Sequence, residues 1–183
     1  MPLEKLLIGT SSEFSNWISI NDTIMGGSSI ATCKTNDSGL SLEGELIEEN
    51  GGFVSCRSPV FSPPLDLSLY DGIKLQVDGQ GRTLKLAISC SDNVSRFTEV
   101  FSGGLRWVAE FETKKQEMTS VKIPFVNLEP SIRANPIRLP LKFSSHSVYQ
   151  FQLLYSKFGT AGKLNSGFKA GPFRILLSSL SVY

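Results

Sequence analysis

Hydrophobic and polar side chains alternate with a period of two residues along most of this chain. In segment 73–77 (Ile-Lys-Leu-Gln-Val), for example, every second side chain is apolar, so an extended strand would bury one face and expose the other. Helical periodicity is nearly absent, and only short helical turns are predicted, at 12–17 and 68–71. The pattern predicts eight strands, at 40–47, 52–58, 73–78, 84–89, 107–112, 118–125, 148–155 and 173–183.

Turn-forming residues divide these strands and indicate a topology. Segment 78–81 (Asp-Gly-Gln-Gly) joins two alternating runs and predicts a hairpin loop. Segment 156–171 is rich in Gly, Ser and Lys and predicts a long surface loop. In the last strand the apolar residues change parity between Leu177 and Leu180, so a bulge is predicted near Ser178-Ser179. Eight strands with these spacings predict an all-β fold, an antiparallel β-sandwich with jelly-roll topology.

The composition is that of a globular domain. The 183 residues, taken as one domain over 1–183, are 40% hydrophobic and 19% charged. No apolar run approaches the roughly 18 residues of a membrane-spanning helix. Segment 1–17 has neither a signal-peptide nor a transit-peptide pattern, so a cytoplasmic location is expected.

Cysteine usage gives a further expectation. Cys33, Cys56 and Cys90 form an odd set without a CxxC pair. Such spacing argues against a disulfide framework and against a zinc knuckle. We therefore expect three thiols in or near the core.

The net charge of +1 is unevenly distributed. Residues 1–91 contain six Lys/Arg and eleven Asp/Glu, a charge of −5, whereas residues 92–183 contain twelve and six, a charge of +6, and no acid follows Glu129. This pattern favours either attraction to an anionic surface or strands that interleave these bases with the acids of the first half. On the first alternative, Lys157, Lys163 and Lys169 form a mobile basic edge beside an anionic membrane.

Residues with catalytic or metal-binding chemistry are few. The only histidine, His146, lies between two serines in a polar segment typical of a surface loop, and no serine occurs in a GxSxG context. This count excludes a multi-histidine metal site. An enzyme would need a cleft with paired acids near Arg57 or Arg82. We expect instead a protein without catalytic activity, cofactor or metal.

Two Gly-Gly segments, 21–29 (Asn-Asp-Thr-Ile-Met-Gly-Gly-Ser-Ser) and 49–58 (Glu-Asn-Gly-Gly-Phe-Val-Ser-Cys-Arg-Ser), predict tight corners. Neither precedes the apolar helix that a phosphate-binding loop needs. Asp22 either caps the first corner through an Asx turn or forms a surface recognition site with Arg57. Arg57 is either buried in a pair or faces a partner. Trp107 either packs in the core or lies on a concave sheet face, where sandwich modules stack ligands.

Five motifs, in this order, resemble the complex I intermediate-associated protein 30 family. They are segments 21–29 and 50–57, the Leu-Ser-x-Tyr-Asp-Gly-Ile stretch at 67–73, the turn at 78–82 in which Gln80 replaces the usual acid, and Gly-Pro-Phe-Arg at 171–174. The resemblance implies a galactose-binding-domain-like jelly roll. It also implies a non-catalytic assembly factor, or chaperone, for a membrane complex, either respiratory complex I or a photosystem. Without a transit peptide, a bacterial and in particular a cyanobacterial member is expected.

Two functional hypotheses follow. In the first, the domain is an assembly or scaffolding factor that binds subunits or intermediates of a membrane complex, with peripheral contact at an inner or thylakoid membrane. In the alternative, it is a carbohydrate- or small-ligand-binding module in which Trp107, Tyr149 and Tyr155 stack on the ligand. Nucleic acid is not an expected partner, because an aromatic-basic RNA-binding signature is missing. The residues predicted to bind a partner or ligand are Asn21, Asp22, Met25, Asn50, Arg57, Arg82 and Trp107, and the predicted basic loop carries Lys157, Lys163 and Lys169.

Overall fold

Thirteen β-strands account for most of the described structure. The computed structural model describes residues 4–49, 52–91, 105–132, 135–138, 140–159, 164–165 and 168–183. In chain order the strands are β1 (Lys5–Ile8), β2 (Ile18–Ser19), β3 (Ile30–Asn36), β4 (Gly39–Leu46), β5 (Phe53–Arg57), β6 (Gly72–Asp78), β7 (Thr83–Cys90), β8 (Leu105–Glu112), β9 (Thr119–Pro124), β10 (Glu129–Ile132), β11 (Asn135–Pro136), β12 (Val148–Ser156) and β13 (Gly171–Val182). The described helical segments are α1 (Ser11–Phe14) and the 3-10 turns Asp22–Met25, Phe125–Asn127 and Ser145–Ser147. No helix in these residues has the length and apolar character needed to cross a bilayer.

The strands form two antiparallel sheets that pack as a β-sandwich. Sheet A has the order β3-β4-β13-β6-β9, with β1 beside β13, and sheet B has the order β11-β10-β8-β7-β12-β5-β2. All eight predicted strands are present, as β4 to β9, β12 and β13. The alternation of apolar and polar positions therefore identified eight of the thirteen described strands, but not the seven-residue strand β3.

The turn at 78–82 is not the hairpin that the sequence predicts. β6 belongs to sheet A and pairs with β9 and β13, whereas β7 belongs to sheet B and pairs with β8 and β12. Gln80 (φ 52) and Gly81 (φ 82) both have left-handed backbone conformations. The tight turn that they form carries the chain from one sheet to the other.

β13 lies at the centre of sheet A. Its residues 171–177 pair with β4 and its residues 180–182 pair with β1, while β6 lies along the other edge. The register with β6 shifts between Leu177 and Ser179, which is the predicted bulge. The bulge brings side chains of both parities into the core: Phe173, Ile175, Leu177, Leu180 and Val182 are all buried.

The core lies between the two sheets and takes one face of each long strand. Leu84, Leu86 and Ile88 of β7 are fully buried, and they pack in the same cluster as Leu75 and Val77 of β6. Complete burial of an aliphatic side chain stabilises the fold by about 2 kcal/mol relative to exposure. The alternating residues that predict strands are thus also the residues that hold the sheets together.

A capping box begins α1 at one edge of the sandwich. The Glu13 carboxylate accepts the N–H groups of Gly9 (2.8 Å) and Thr10 (2.9 Å), and the Thr10 hydroxyl accepts the Glu13 N–H in return. This reciprocal bonding satisfies amide groups at the helix start. It places Phe14 in the core, where its ring meets Trp17 edge-on at 5.5 Å.

The prediction of three thiols is wrong, because Cys33 and Cys56 form a disulfide. Cys33 lies on β3 of sheet A and Cys56 on β5 of sheet B, so the bond links the two layers across the core. Their Cα atoms are 6.0 Å apart, within the usual range for a disulfide. Cys90 is a buried thiol. Packing of the sheets creates the pairing, and linear spacing does not reveal it.

Candidate functional site

The buried carboxylate of Asp22 joins the two Gly-Gly corners. Its Oδ1 accepts the Ser29 N–H (3.0 Å), and its Oδ2 accepts the Ser29 hydroxyl (2.6 Å) and the Gly52 N–H (2.7 Å). These three donors offset the cost of removing a carboxylate from water. Because Asp22 is fully buried, the hypothesis that it forms a surface recognition site with Arg57 is wrong. Asp22 fixes the first corner against the second.

The corners require glycine at specific positions. Gly26 (φ 87) and Gly52 (φ 121) have backbone conformations that side chains disfavour. Gly27 does not, but a Cβ added there would contact the Asp22 carboxyl group. At each described glycine of the two corners, a different steric effect therefore disfavours any larger residue.

Asn21 also supports the first corner. Its Nδ2 donates to the Ala31 carbonyl (3.1 Å) of the following strand. The Oδ1 of the same amide is buried without a hydrogen-bond partner among the described residues. Asn50 and Gly51 lie outside the described residues, as does the side chain of Met25. Their predicted roles remain predictions.

Lys157 is tied to the second corner. Its N–H donates to the Gly52 carbonyl (2.7 Å), and its Nζ forms an ion pair with Glu48 at 2.9 Å. The same Nζ lies 5.6 Å from the centre of the exposed Phe158 ring. Lys157 is therefore paired with an acid of the first half of the chain. It does not contribute to a mobile, unpaired basic edge.

Lys169 is exposed, but its backbone is anchored to the core. The Lys169 N–H donates to the Tyr155 hydroxyl (3.1 Å), and that hydroxyl lies 3.2 Å from the Lys169 carbonyl. Lys163 lies outside the described residues. Of the predicted basic edge, the described part thus provides one paired lysine and one exposed lysine.

Arg57 ends β5 on the outer face of sheet B, the face turned away from the core. The residue is half-buried, and among the described residues its Nε has no hydrogen-bond partner and its guanidinium no ion pair. Burial lowers the pKa of Arg57, and the positive charge of Arg106 on β8 lowers this pKa further. Within the described residues, the alternative of a buried ion pair is therefore wrong.

The strand register places Arg57 in a row of outward side chains that crosses sheet B. From the β2 edge to β10, the row is Ile18, Arg57, Gln152, Ala87, Val108 and Glu129. Ile18 is 58% exposed, whereas Gln152 (5%) and Ala87 (3%) are buried although they face away from the core. Gln152 and Ala87 are therefore covered by other parts of the protein, although they lie in the middle of this outer face.

The next row of this outer face holds two further buried polar side chains, Ser55 and Lys85. The Gln152 Nε2 donates to the Ser55 hydroxyl (2.8 Å), which donates to the Ile20 carbonyl (2.6 Å). Burial lowers the pKa of Lys85 on β7, while the charge of Glu110 opposite it raises this pKa. Sequence reasoning missed Gln152, Ser55 and Lys85, since polar residues at alternate strand positions are ordinarily exposed. Their burial depends on contacts between distant segments of the chain, which the alternation pattern does not report.

Arg82 supports the turn between the sheets. Its Nη1 donates to the Gln80 side-chain oxygen (3.1 Å), and its guanidinium lies 5.7 Å from the centre of the Tyr155 ring. Its Nη2 lies 3.5 Å from the Pro172 carbonyl at the start of β13. These contacts connect the turn to both sheets. The amide oxygen of Gln80 accepts the bond that an acid would accept at this position.

The aromatic residues predicted to stack on a ligand lie mostly in the core. Trp107 is buried, and its ring meets Phe143 edge-on at 5.7 Å. Tyr155 is fully buried, while Tyr149 is half-buried. The hypothesis that Trp107 and Tyr155 form a platform on a concave sheet face is wrong. In the alternating pattern, both residues occupy positions whose side chains point into the core, Trp107 on β8 and Tyr155 on β12.

The described residues contain few groups that are arranged for chemistry. No set of three or more His, Cys, Asp or Glu residues within them is placed to hold a metal ion. His146 is exposed on a 3-10 turn, where its Nδ1 lies 2.9 Å from the Ser144 hydroxyl. A cleft of about 230 Å³ between β8 and β9 is lined by Glu110 and Glu129, among others, but by neither arginine that an enzyme hypothesis would use.

Several solved carbohydrate-related structures share this fold. A family 11 carbohydrate-binding module from Clostridium thermocellum, in complex with a beta-1,3-1,4-mixed-linked tetrasaccharide, superimposes with a TM-score of 0.64 at 13% identity, covering 98% of this chain and 94% of the module. A family 30 carbohydrate-binding module gives 0.55 at 13% identity, covering 98% and 87%. The agarase AgWH50C gives 0.57 at 10% identity, covering 98% of this chain and 24% of the agarase. At such identities the likeness establishes the fold, a galactose-binding-like jelly roll, as predicted.

The family assignment comes from the sequence. No curated protein sequence matches the chain significantly. The sequence model of Complex I intermediate-associated protein 30 matches residues 6–177, a range that contains both Gly-Gly corners, the turn between the sheets and most of β13. The chain therefore belongs to the complex I intermediate-associated protein 30 family.

Proposed function

We propose that this protein is a non-catalytic assembly or scaffolding factor for a membrane protein complex, of the respiratory complex I type or photosynthetic. The observation that carries the proposal is the family match over residues 6–177. Its surface loops and the outer face of sheet B would hold an intermediate while further subunits join it. The rigid connection of the two corners through Asp22 supports this role, because a preorganised surface loses little conformational entropy when it binds.

The test is genetic and biochemical. A tagged copy should co-purify with subunits of a partly built membrane complex, identified by mass spectrometry. A deletion strain should accumulate subassemblies in native gels, and the wild-type gene should restore the complete complex. Normal assembly of every respiratory and photosynthetic complex in the deletion strain would contradict the proposal.

A second candidate function is carbohydrate binding. The observation that favours it is the fold itself, which covers nearly the whole of a carbohydrate-binding module. Against it, Trp107 and Tyr155 are buried, so they cannot stack on a sugar ring. Calorimetric titration with β-glucan and galactan oligosaccharides tests this function. Binding at millimolar sugar or below would favour it over the scaffolding role.

A further inference from the structure

One side of the sandwich is open between two strand edges. β10 pairs with residues 105–108 of β8 and reaches no further, so residues 109–112 of β8 have β7 as their only strand partner among the described residues. In sheet A, β9 ends the strand order and, in the same part of the chain, pairs with β6 alone. Edges of this kind present N–H and C=O groups to which an added strand can bond.

The cleft of about 230 Å³ lies between these two edges. Ala109 and Phe111 of β8 and Ile123 of β9 are buried in its walls, while Val108 and Val121 are half-buried. Both strands contribute consecutive residues to the lining, which is the geometry of a strand seen from its edge. The cleft therefore offers apolar contacts directly beside unpaired backbone.

The mouth of the cleft carries more acids than bases. Glu110 and Glu129 line it, and Glu112 continues the same edge of β8. Glu112 and Glu129 are exposed and form no ion pair within the described residues. Among the described lining residues the base is Lys122, whose Nζ lies 4.7 Å from the centre of the Tyr183 ring. The mouth therefore attracts cationic groups.

The strand neighbours of the two β8 acids differ. Lys85 lies opposite Glu110 on β7, whereas the uncharged Thr83 lies opposite Glu112. Lys114, which follows β8, forms an ion pair with Glu117 at 2.9 Å. The charge of Glu112 is therefore not compensated by its neighbour on β7.

Side-chain alternation defines the segment that fits this edge. In a strand added beside residues 109–112, every second side chain would enter the cleft, and the others would lie beside Glu110 and Glu112. Apolar side chains suit the first set, because the buried walls of the cleft are apolar. Lys or Arg suits the second set, since opposite charges on neighbouring strands attract. In such strand addition the main-chain bonds supply affinity and the side chains supply specificity.

We propose that the open edge of β8 at residues 109–112 binds an extended segment of a protein partner in which apolar and basic side chains alternate. The apolar side chains enter the cleft between β8 and β9, and the basic ones lie near Glu112 and Glu129. This inference rests on the proposed function, since an assembling subunit is the partner that would present the segment.

The direct test titrates the protein with a fluorescein-labelled octapeptide that alternates Lys with Val. Fluorescence anisotropy should show binding of this peptide. Binding should be at least about tenfold weaker for a peptide with Glu in place of Lys, and for one of the same composition in which all Lys residues precede all Val residues.

Two N-methylated peptides test strand pairing itself. One carries the methyl group on the backbone nitrogen of every Lys and the other on that of every Val. Alternate residues of a strand direct their N–H groups to opposite edges, so only one set faces β8. One of the two peptides should therefore bind at least about tenfold more weakly than the other.

Protein variants locate the site. Glu112→Gln should weaken binding of the alternating Lys-Val peptide about threefold, and Glu112→Gln combined with Glu129→Gln about tenfold. The matched control is Glu45→Gln, which changes an exposed acid on β4 of sheet A and should leave affinity within about twofold of wild type. All three substituted side chains are exposed, so the melting temperature should remain that of wild type.

Four results would overturn the proposal. They are no binding of the alternating peptide, equal affinities of wild type and the double variant, equal binding of the two N-methylated peptides, and a clearly lower melting temperature of the double variant. A dimer in light scattering at micromolar concentration that the double variant disrupts would also overturn it, because the edge would then bind a second copy of this chain.

The proposal and the function on which it rests fail differently. If tagged wild type and the tagged double variant recover the same subunits in equal amounts, the edge of β8 is not the docking site, although the assembly role stands. If wild type recovers no membrane-complex subunit, the assembly role fails, and the peptide titrations still report whether this edge binds an extended basic segment.

Discussion

Asp22 and Gly52, thirty residues apart in sequence, are joined by a hydrogen bond of 2.7 Å from the Gly52 N–H to the Asp22 Oδ2. The carbonyl of the same glycine accepts the N–H of Lys157, which follows β12. Three segments distant in sequence therefore meet at one peptide unit. The conformation of this end of the sandwich depends on a carboxylate that no solvent reaches.

Asp22→Asn should destabilise the protein by about 2–4 kcal/mol. The amide nitrogen of Asn would face the N–H of either Ser29 or Gly52, so two donors would oppose each other in a buried site. Urea denaturation followed by tryptophan fluorescence measures the loss. Asp37→Asn, in an exposed turn, is the control and should change stability by less than about 0.5 kcal/mol. Equal effects of the two substitutions would contradict the role of Asp22.

The glycines of the first corner should differ in their response to substitution. Gly26→Ala should cost about 1 kcal/mol, because φ is 87 although the surrounding space is open, and Gly26→Asn should cost less. Gly27→Ala should cost more than Gly26→Ala, because its methyl group would contact the Asp22 carboxyl group. Thermal melts of the three variants give the order. A tolerated Gly27→Ala would show that the corner can relax.

Reduction of the Cys33–Cys56 disulfide should lower stability by about 3 kcal/mol, since it closes a loop with a sequence separation of 23 and joins the two sheets. The denatured, unreduced protein should expose one titratable thiol, that of Cys90, and three after reduction. Cys90→Ala is the control, and its stability should remain sensitive to reductant. Three thiols in the unreduced protein would contradict the disulfide.

Glu13 should make the stability of the α1 region sensitive to acid. The backbone N–H of Gly9 and the Thr10 side chain lower the pKa of Glu13 in the folded protein. A lowered folded pKa contributes stability that is present above the unfolded pKa and is lost as the pH falls through the folded pKa. The carboxylate is exposed and screened by water, so the contribution is at most about 1 kcal/mol.

Denaturant titrations of wild type and Glu13→Gln measure this difference. Glu13→Gln should be less stable than wild type at neutral pH and nearly equal to it below about pH 3, where the carboxyl group is protonated. A difference that does not change with pH would contradict an electrostatic origin.

Much of the fold could be predicted from the sequence, because strand alternation reports directly which side chains are buried. It identified β4 to β9, β12 and β13, and the parity change in β13 revealed the bulge. β3 escaped prediction because its inward residues are small or only partly buried, as with Ala31 and Cys33, so its alternation is weak. Alternation also does not report which sheet a strand joins. For that reason the turn at 78–82 was predicted as a hairpin.

The candidate site was less predictable, because it depends on contacts between distant segments. Segment 21–29 indicated a corner, but the bonds from Asp22 to Gly52 arise only when the two sheets pack. Trp107 lies at one of the alternate strand positions that carry apolar residues. The alternation alone does not distinguish the inner face of a sheet from a concave outer face. The burial of Gln152 and Lys85 was missed because polar residues at outward strand positions are ordinarily exposed, and the contacts that cover these two side chains come from distant segments.

The central position of β13 has a consequence for synthesis of the chain. β4 and β6 are separated in sheet A by a strand that begins at Gly171, far along the chain from Leu46 and Asp78, where they end, and β1 also pairs with that strand. On the ribosome β1 has no partner in sheet A, and β4 and β6 are each paired along one edge only, by β3 and β9, until residues 171–182 emerge. Sheet A is therefore completed only after β13 has emerged, and until then its exposed strand edges are open to association with chaperones or with other nascent chains.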